Sequence, residues 1–232
     1  VIVIDETMLK LGDPISVVDI TAKAYSIDYD STDSSKRGVG EYTATVTGLT
    51  AKNYNRVVAP TTVEVVKKAI TVTCNDYATD LTYGDEVPAS LNTGYVVDTT
   101  AFVFGDSEAT AITGTAAYAT TYVKMSNVGT YDVTVSGLES ANYDITFVAG
   151  ELNVVKKDLY FWAKSYNLTY GDFSPIYEAN WDGFAGEETA EVLGGTLTIT
   201  STYVVSAPAG EYPITVVNAL TSANYNIIEK VA

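Results

Sequence analysis

The chain has 232 residues, with 29 acidic against 13 basic side chains, a net charge of −16, one cysteine and no histidine. These counts exclude a histidine-based triad, an imidazole base, an ordinary zinc site and an internal disulfide, and the acidic balance argues against nucleic acid and anionic membranes as partners. No run approaches the ~18 apolar residues that span a bilayer, and no charged-then-apolar leader follows Val1, so the chain reads as a piece whose targeting signal lies elsewhere.

Eighteen tyrosines, with many valines and threonines, suit a pleated surface, and 47% hydrophobic content against 18% charged predicts a folded, β-rich chain. In chain order, a weak LGD turn at 11–13 precedes an acidic loop, DYDSTD at 28–33. Tyr42, Ala44 and Val46 then alternate with polar residues, as a half-exposed strand requires. The segment VTGLTAKNYN at 46–55 follows, and EVVKK at 64–68 closes this stretch.

All but the acidic loop return. VTGLTAKNYN recurs as VSGLESANYD at 135–144 and VNALTSANYN at 217–226, with Tyr54 to Tyr143 spanning 89 residues and Tyr143 to Tyr225 spanning 82. VGEY at 39–42 recurs as VGTY at 128–131 and AGEY at 209–212; NVVKK recurs at 153–157; LTYGD occurs at 81–85 and 168–172. Motifs repeated in one order predict tandem modules with boundaries 1–68, 69–157 and 158–232. The first module is shortened. The third has no residues corresponding to 151–155 of the second, which predicts an open edge along 225–228. The joins hold no Gly/Ser or Pro tract, so hinge freedom should be limited.

Within the second module, GDSEATAITG at 105–114 predicts a short helix, with cap-type Asp106 and Ser107 ahead of it and Gly114 as its stop; GEETAEVLG at 186–194 predicts its counterpart in the third. Tyr131, Val133 and Val135 share one face of a strand, and Tyr143, Ile145 and Phe147 read as a hairpin with Leu152 and Val154 across a turn at Ala149 and Gly150. Pro213 falls at an outward strand position.

The YGD turns, the prolines after them (Pro88, Pro175), the short acidic helices, VGTY and SANYDITF together resemble MBG repeats of the YGX type. That resemblance covers the second module fully and the third except for its end, while the first has LGD in place of YGD and a shorter middle. It implies tandem arrays in large bacterial surface and adhesin-like proteins, β-rich α+β modules of β-grasp-like form, and no catalytic residues. The expected fold is thus three small modules, each an antiparallel sheet, with one short helix in the second and third; Ig-like β-sandwich modules are the alternative.

Candidate sites are few. Asp28, Asp30 and Asp33 alternate as in a calcium loop, without the central glycine or terminal glutamate of an EF-hand, and a solvated loop is the competing reading. Gly84-Asp85 and Gly171-Asp172 read as tight turns. Aligning the VVKK copies places Leu159, Phe161 and Ala163 on a buried phase, leaving Tyr160 and Trp162 outward as a sugar platform or as packing under a neighbouring module. Trp181 and Phe184 read as core plugs, Glu187 and Glu188 as a helix-dipole complement, and Cys74 as a buried small hydrophobe. The function expected is a non-catalytic stalk or spacer of a secreted or cell-surface protein with adhesive contacts; a carbohydrate- or protein-binding module, or an accessory region of a larger secreted enzyme, is the alternative. Expected partners are a glycan or a host or matrix protein, with no cofactor, no nucleic acid, no membrane insertion of this segment, and a monomeric state.

Overall fold

The structure, a computed structural model, describes residues 18–19, 24–30, 33, 35, 37–51 and 53–230. The LGD turn of 11–13, and residues 31 and 32 of the acidic loop, lie outside the described residues. Strand makes up 46% and helix 5%, which settles the class as β-rich. Two compact units divide the chain. One holds the described residues up to Thr71 with Val97–Thr115 and Leu138–Thr146; the other holds Val72–Val96, Ala116–Gly137 and everything from Phe147 on. Residues of the second sequence repeat fall in both.

In the first repeat the strands are β1 (Val18–Asp19), β2 (Ala24–Ile27), β3 (Gly40–Thr47), β4 (Thr50–Ala51) and β5 (Thr61–Val65). β2, β3 and β5 form an antiparallel sheet in which Tyr42 sits opposite Val63, and β1 pairs with β4. Exposure alternates strictly along β3, as its period-2 pattern requires. Among the described residues of this repeat, Leu49 is the one that is buried.

The second repeat carries β6 (Lys68–Cys74), β7 (Leu81–Thr82), β8 (Tyr95–Val97), α1 (Glu108–Ala111), β9 (Thr113–Thr120), β10 (Gly129–Glu139), β11 (Tyr143–Val148) and β12 (Gly150–Val155). β12 lies antiparallel to β10, with Tyr131 opposite Leu152, and parallel to β7, with Val154 opposite Leu81. The inward residues Val133, Val135, Leu152 and Val154 are fully buried, as the alternation predicts. Gly150 has no room for a side chain: a Cβ there would lie 2.5 Å from the Asn75 carbonyl oxygen.

The third repeat comprises β13 (Lys157–Ala163), β14 (Ala179–Asp182), β15 (Gly194–Ser201), β16 (Ile214–Thr221) and β17 (Tyr225–Glu229). β13 is central, antiparallel to β14 and parallel to β17, while β15 and β16 make a separate antiparallel ribbon. Leu159 and Phe161 are fully buried, and Trp181 and Phe184 pack in sequence against Phe161, with ring centroids 5.4 and 5.5 Å apart.

Four expectations are corrected. One sheet in each of the second and third repeats is mixed rather than antiparallel, because β12 and β17 each run parallel to a neighbour. The segment after Glu188 winds only a 3-10 turn at Ala190–Val192, capped by Thr189, where the second repeat makes one α-helical turn capped by Ser107. β11 and β12 turn at Ala149 and Gly150 but are not a hairpin, since β12 joins the sheet of β7, β9 and β10 and β11 does not. The edge expected along 225–228 has another cause: β17 pairs with β13 from Lys157 to Phe161, with Lys230 N–H continuing onto the Phe161 carbonyl, and it ends its sheet as β11 ends its own.

Candidate functional site: the joints between repeats

Each copy of G-x-Y uses its tyrosine in the same way. The hydroxyls of Tyr42, Tyr131 and Tyr212 donate to the carbonyls four residues back, Gly38, Asn127 and Pro208, at 2.6–2.7 Å. Each ring meets a second tyrosine edge-on: Tyr29, Tyr122 and Tyr203 respectively. The Tyr122 and Tyr203 hydroxyls in turn hold the carbonyls of Asp85 and Asp172 in the two YGD turns. Those turns are tight, as expected, with Asp85 and Asp172 carboxylates accepting from the Thr82 and Thr169 N–H groups and Gly84 and Gly171 at φ of 92° and 96°. The result is a stiff loop that presents Val39 in the first repeat and Val128 in the second.

These loops are gripped by the next repeat. Within the first compact unit, Val39 N–H donates to Asn142 Oδ1 at 3.0 Å, Lys67 Nζ donates to the Ser140 carbonyl at 2.7 Å, and Lys68 N–H donates to the Asn142 carbonyl at 3.0 Å. Within the second unit the same three bonds recur one repeat later. Val128 N–H reaches Asn224 Oδ1 at 3.0 Å, Lys156 Nζ reaches the Ser222 carbonyl at 2.8 Å, and Lys157 N–H reaches the Asn224 carbonyl at 3.0 Å. Asn224 Nδ2 also donates to Asn127 Oδ1. The asparagine of S-A-N-Y is therefore a clamp on the preceding repeat, and the first lysine of VVKK is its counterpart from the other side.

The tyrosine of the same motif anchors the acidic turn. Tyr143 is buried edge-on to Phe102, accepts from Val103 N–H and donates to Asp106; Tyr225 is buried edge-on to Phe184, accepts from Ala185 N–H and donates to Glu188. The preceding repeat then contacts that acid. Arg37 sits 3.8 Å from Asp106 and 5.0 Å over the Phe104 ring, and Tyr83 donates to Glu188 at 2.8 Å while meeting Tyr225 edge-on. Burial first, and the carboxylate bond after it, push the Tyr83 and Tyr225 hydroxyls above their ordinary range; Tyr143 rises for burial chiefly, with Asp106 adding to it. Neutral phenols hydrogen-bonded to carboxylates suit cohesion. They offer no nucleophile.

The recurring YGD, G-x-Y and S-A-N-Y geometry coincides with a family match: residues 70–153 and 162–230 each match the MBG domain, YGX type. The chain belongs to the MBG (YGX-type) family. This is a non-catalytic domain type, typical of surface or extracellular proteins and found in their repeat regions. No curated protein and no solved structure gave a significant match. Among the described residues no helix is long and apolar enough to cross a membrane.

The other candidate residues lie apart from the MBG joints. Tyr160 and Trp162 share the outer face of β13, both half-buried, and Lys230 Nζ spans them at 4.5 and 5.1 Å from the ring centres while pairing with Asp182 at 3.2 Å. Asp33 accepts from the N–H and hydroxyl of Ser35, and its own N–H reaches the Asp30 carbonyl. Among the described residues, Asp28, Asp30 and Asp33 included, no three His, Cys, Asp or Glu side chains gather as a metal ion needs. Cys74 is buried beside Thr93. Glu187 is exposed, whereas Glu188 leaves its helix-start role for the joint. The clamp asparagines went unassigned in the sequence because S-A-N-Y reads as internal to its own repeat; only the recurrence of an amide side chain ahead of a core tyrosine pointed beyond it.

Proposed function

We propose that this chain is a tandem-repeat segment of a bacterial cell-surface or secreted adhesin-like protein, in which small β-grasp-like modules with boundaries near 68 and 157 serve as a stalk or spacer. The observation that carries this reading is the joint, built twice from the same residues: Asn142 and Asn224 on Val39 and Val128, and Lys67 and Lys156 on Ser140 and Ser222. A spacer needs neighbouring modules held by specific bonds rather than by a flexible tether, and repeating the joint carries that hold along the array. Adhesive contacts with glycans or host or matrix proteins fit the family setting. The experiment is immunolabelling of intact cells that express the full-length protein, with antibodies raised against this chain. Labelling from outside is the expected result; labelling only after permeabilisation overturns the placement.

A second reading rests on Tyr160 and Trp162, two aromatic faces side by side on β13, which would offer a stacking platform for a sugar ring. Lys230 already lies across both rings, so a glycan would have to displace a cation worth about 0.5–1 kcal/mol at an exposed site. Lys230→Ala should therefore raise glycan affinity at this face, read by tryptophan fluorescence. An unchanged spectrum in wild type and variant across a glycan panel removes the reading.

A further inference from the structure

Among the described residues, two other than glycine hold a positive φ: Phe104 at 57° and Met125 at 69°. Residues with a Cβ rarely adopt that conformation, and it persists where the surroundings impose it. Each of the two sets an apolar side chain at a joint. Phe104 lies under Arg37 in the first compact unit. Met125 belongs to the second unit and brings a sulfur atom to the other joint.

The turn that carries Met125 is fixed to the YGD turn of the second repeat. Ser126 N–H donates to the Val123 carbonyl at 3.0 Å, and Val123 N–H donates to Ser126 Oγ at 3.2 Å. Met125 thus stands third in a closed four-residue turn, where glycine or asparagine is the usual choice for positive φ. Before it, the Tyr122 hydroxyl holds the Asp85 carbonyl and Lys124 pairs with Glu86. The thioether then reaches the third repeat. A Cβ added at Gly84 would lie 3.8 Å from Met125 Sδ, and one added at Gly186 would lie 3.9 Å from it. The sulfur therefore sits by both the YGD turn and the acidic turn whose Glu188 receives Tyr83 and Tyr225. Those two turns are close: the same Cβ at Gly84 would come within 2.6 Å of Ala185 Cβ, so there is no slack to absorb a larger group. Met125 is only half-buried, which leaves the thioether open to a small reagent.

We infer that Met125 is an oxidation site, and that its conversion to the sulfoxide by a hydroperoxide loosens the second joint while leaving the first intact. A sulfur lone pair attacks one peroxide oxygen, and the S–O bond forms as the O–O bond breaks. Sulfur gives up two electrons, and the departing hydroxide takes the proton of the transferred oxygen and leaves as water. The product is polar and bulkier than the thioether. It either turns to solvent, withdrawing from Gly84 and Gly186, or forces the two turns apart. Both routes weaken the grip on the loop that presents Val128. The first joint has no sulfur at the matching place, since the residue three before Val39 is Lys36, where Met125 stands three before Val128.

The test uses the full chain carrying Met8→Leu, in which Met125 is the sole methionine. Hydrogen peroxide is added, the oxygen is located by peptide mass, and amide exchange is read at Val128, bonded to Asn224, and at Val39, bonded to Asn142. One oxygen on Met125 is expected, with roughly fivefold faster exchange at Val128 and an unchanged rate at Val39. Adding Met125→Leu, an apolar change of similar volume, should keep the Val128 rate the same before and after peroxide. Four results each overturn the inference: Met125 left intact where free methionine is fully converted, an unchanged Val128 rate after complete conversion, equal acceleration at Val39, or a peroxide response that survives Met125→Leu. None of these readouts depends on where the full-length protein resides, so the stalk reading stands or falls separately.

Discussion

Removing the Asn224 side chain tests the joint directly. Asn224 accepts from Val128 N–H at 3.0 Å and donates to Asn127 Oδ1 at 2.8 Å, and both Asn224 and Val128 are half-buried. Two neutral hydrogen bonds at about 0.5–1.5 kcal/mol each bound the loss in Asn224→Ala at about 1–3 kcal/mol. Partial solvent access lets water recover some of the Val128 bond, which places the expected value near 1.5 kcal/mol. Because the bond joins two repeats, this loss should appear as local opening of the 127–129 loop rather than as uniform destabilisation. Amide exchange reads it residue by residue: Val128 should exchange about tenfold faster, since 1.4 kcal/mol is a factor of ten. Amides within β15 and the 157–161 stretch of β13 should keep their rates. Asn224→Asp separates acceptor from donor, because its carboxylate still receives Val128 N–H while the bond to Asn127 is lost. Val128 should remain protected in that variant. Unchanged exchange at Val128 in Asn224→Ala, or equal loss in both variants, would refute the assignment of Asn224 as the clamp.

Two further expectations follow from the same contacts. The Tyr83, Tyr143 and Tyr225 hydroxyls are held above their ordinary value of 10.0, so the folded chain retains protons that unfolded tyrosines release; their contribution to stability is complete below about pH 10 and lost as pH rises beyond it. Glu188→Gln removes the negative charge but not the burial, so the phenolate absorbance of Tyr83 and Tyr225 should appear at lower pH than in wild type and still later than for a free tyrosine; an unchanged titration curve would contradict this. Gly84→Ala and Gly171→Ala impose the same positive-φ strain, but the added methyl at 84 would lie 2.6 Å from Ala185 Cβ, whereas at 171 it meets nothing within 4 Å. Urea unfolding should show Gly84→Ala the more damaging by at least about 1 kcal/mol, and equal losses would mean that Ala185 yields without cost.

Much of the fold was legible because strands announce themselves by alternation. Tyr131, Val133 and Val135, or Leu159 and Phe161, have one side to bury, and a period of two fixes which residues do so. Turns were legible for a similar reason: glycine before aspartate in YGD meets a local need for positive φ and a side-chain acceptor, both satisfied within four residues. Partner choice was not. Nothing local distinguishes β11 turning back onto β12 from β11 leaving for another sheet, because the turn at Ala149 and Gly150 serves either path and both strands have an inward face. The parallel pairing of β17 with β13 is decided by sixty-odd residues of intervening chain, a scale on which alternation carries no information.

The joint shows why a repeated motif can hide its own purpose. In S-A-N-Y the tyrosine satisfies its own repeat, plugging the core and holding Asp106 or Glu188, while the asparagine one residue earlier points to the repeat before it. Sequence alone shows the two always together and so invites one explanation for both. The glycine of YGD carries a comparable double duty at 84, where a backbone requirement coincides with close approach of Ala185, and only the backbone requirement at 171. A residue serving two neighbours at once is constrained by both, but the linear pattern exposes only the nearer constraint. Identity of motif therefore fixes what a residue is able to contact, and the neighbouring repeat decides whether it does.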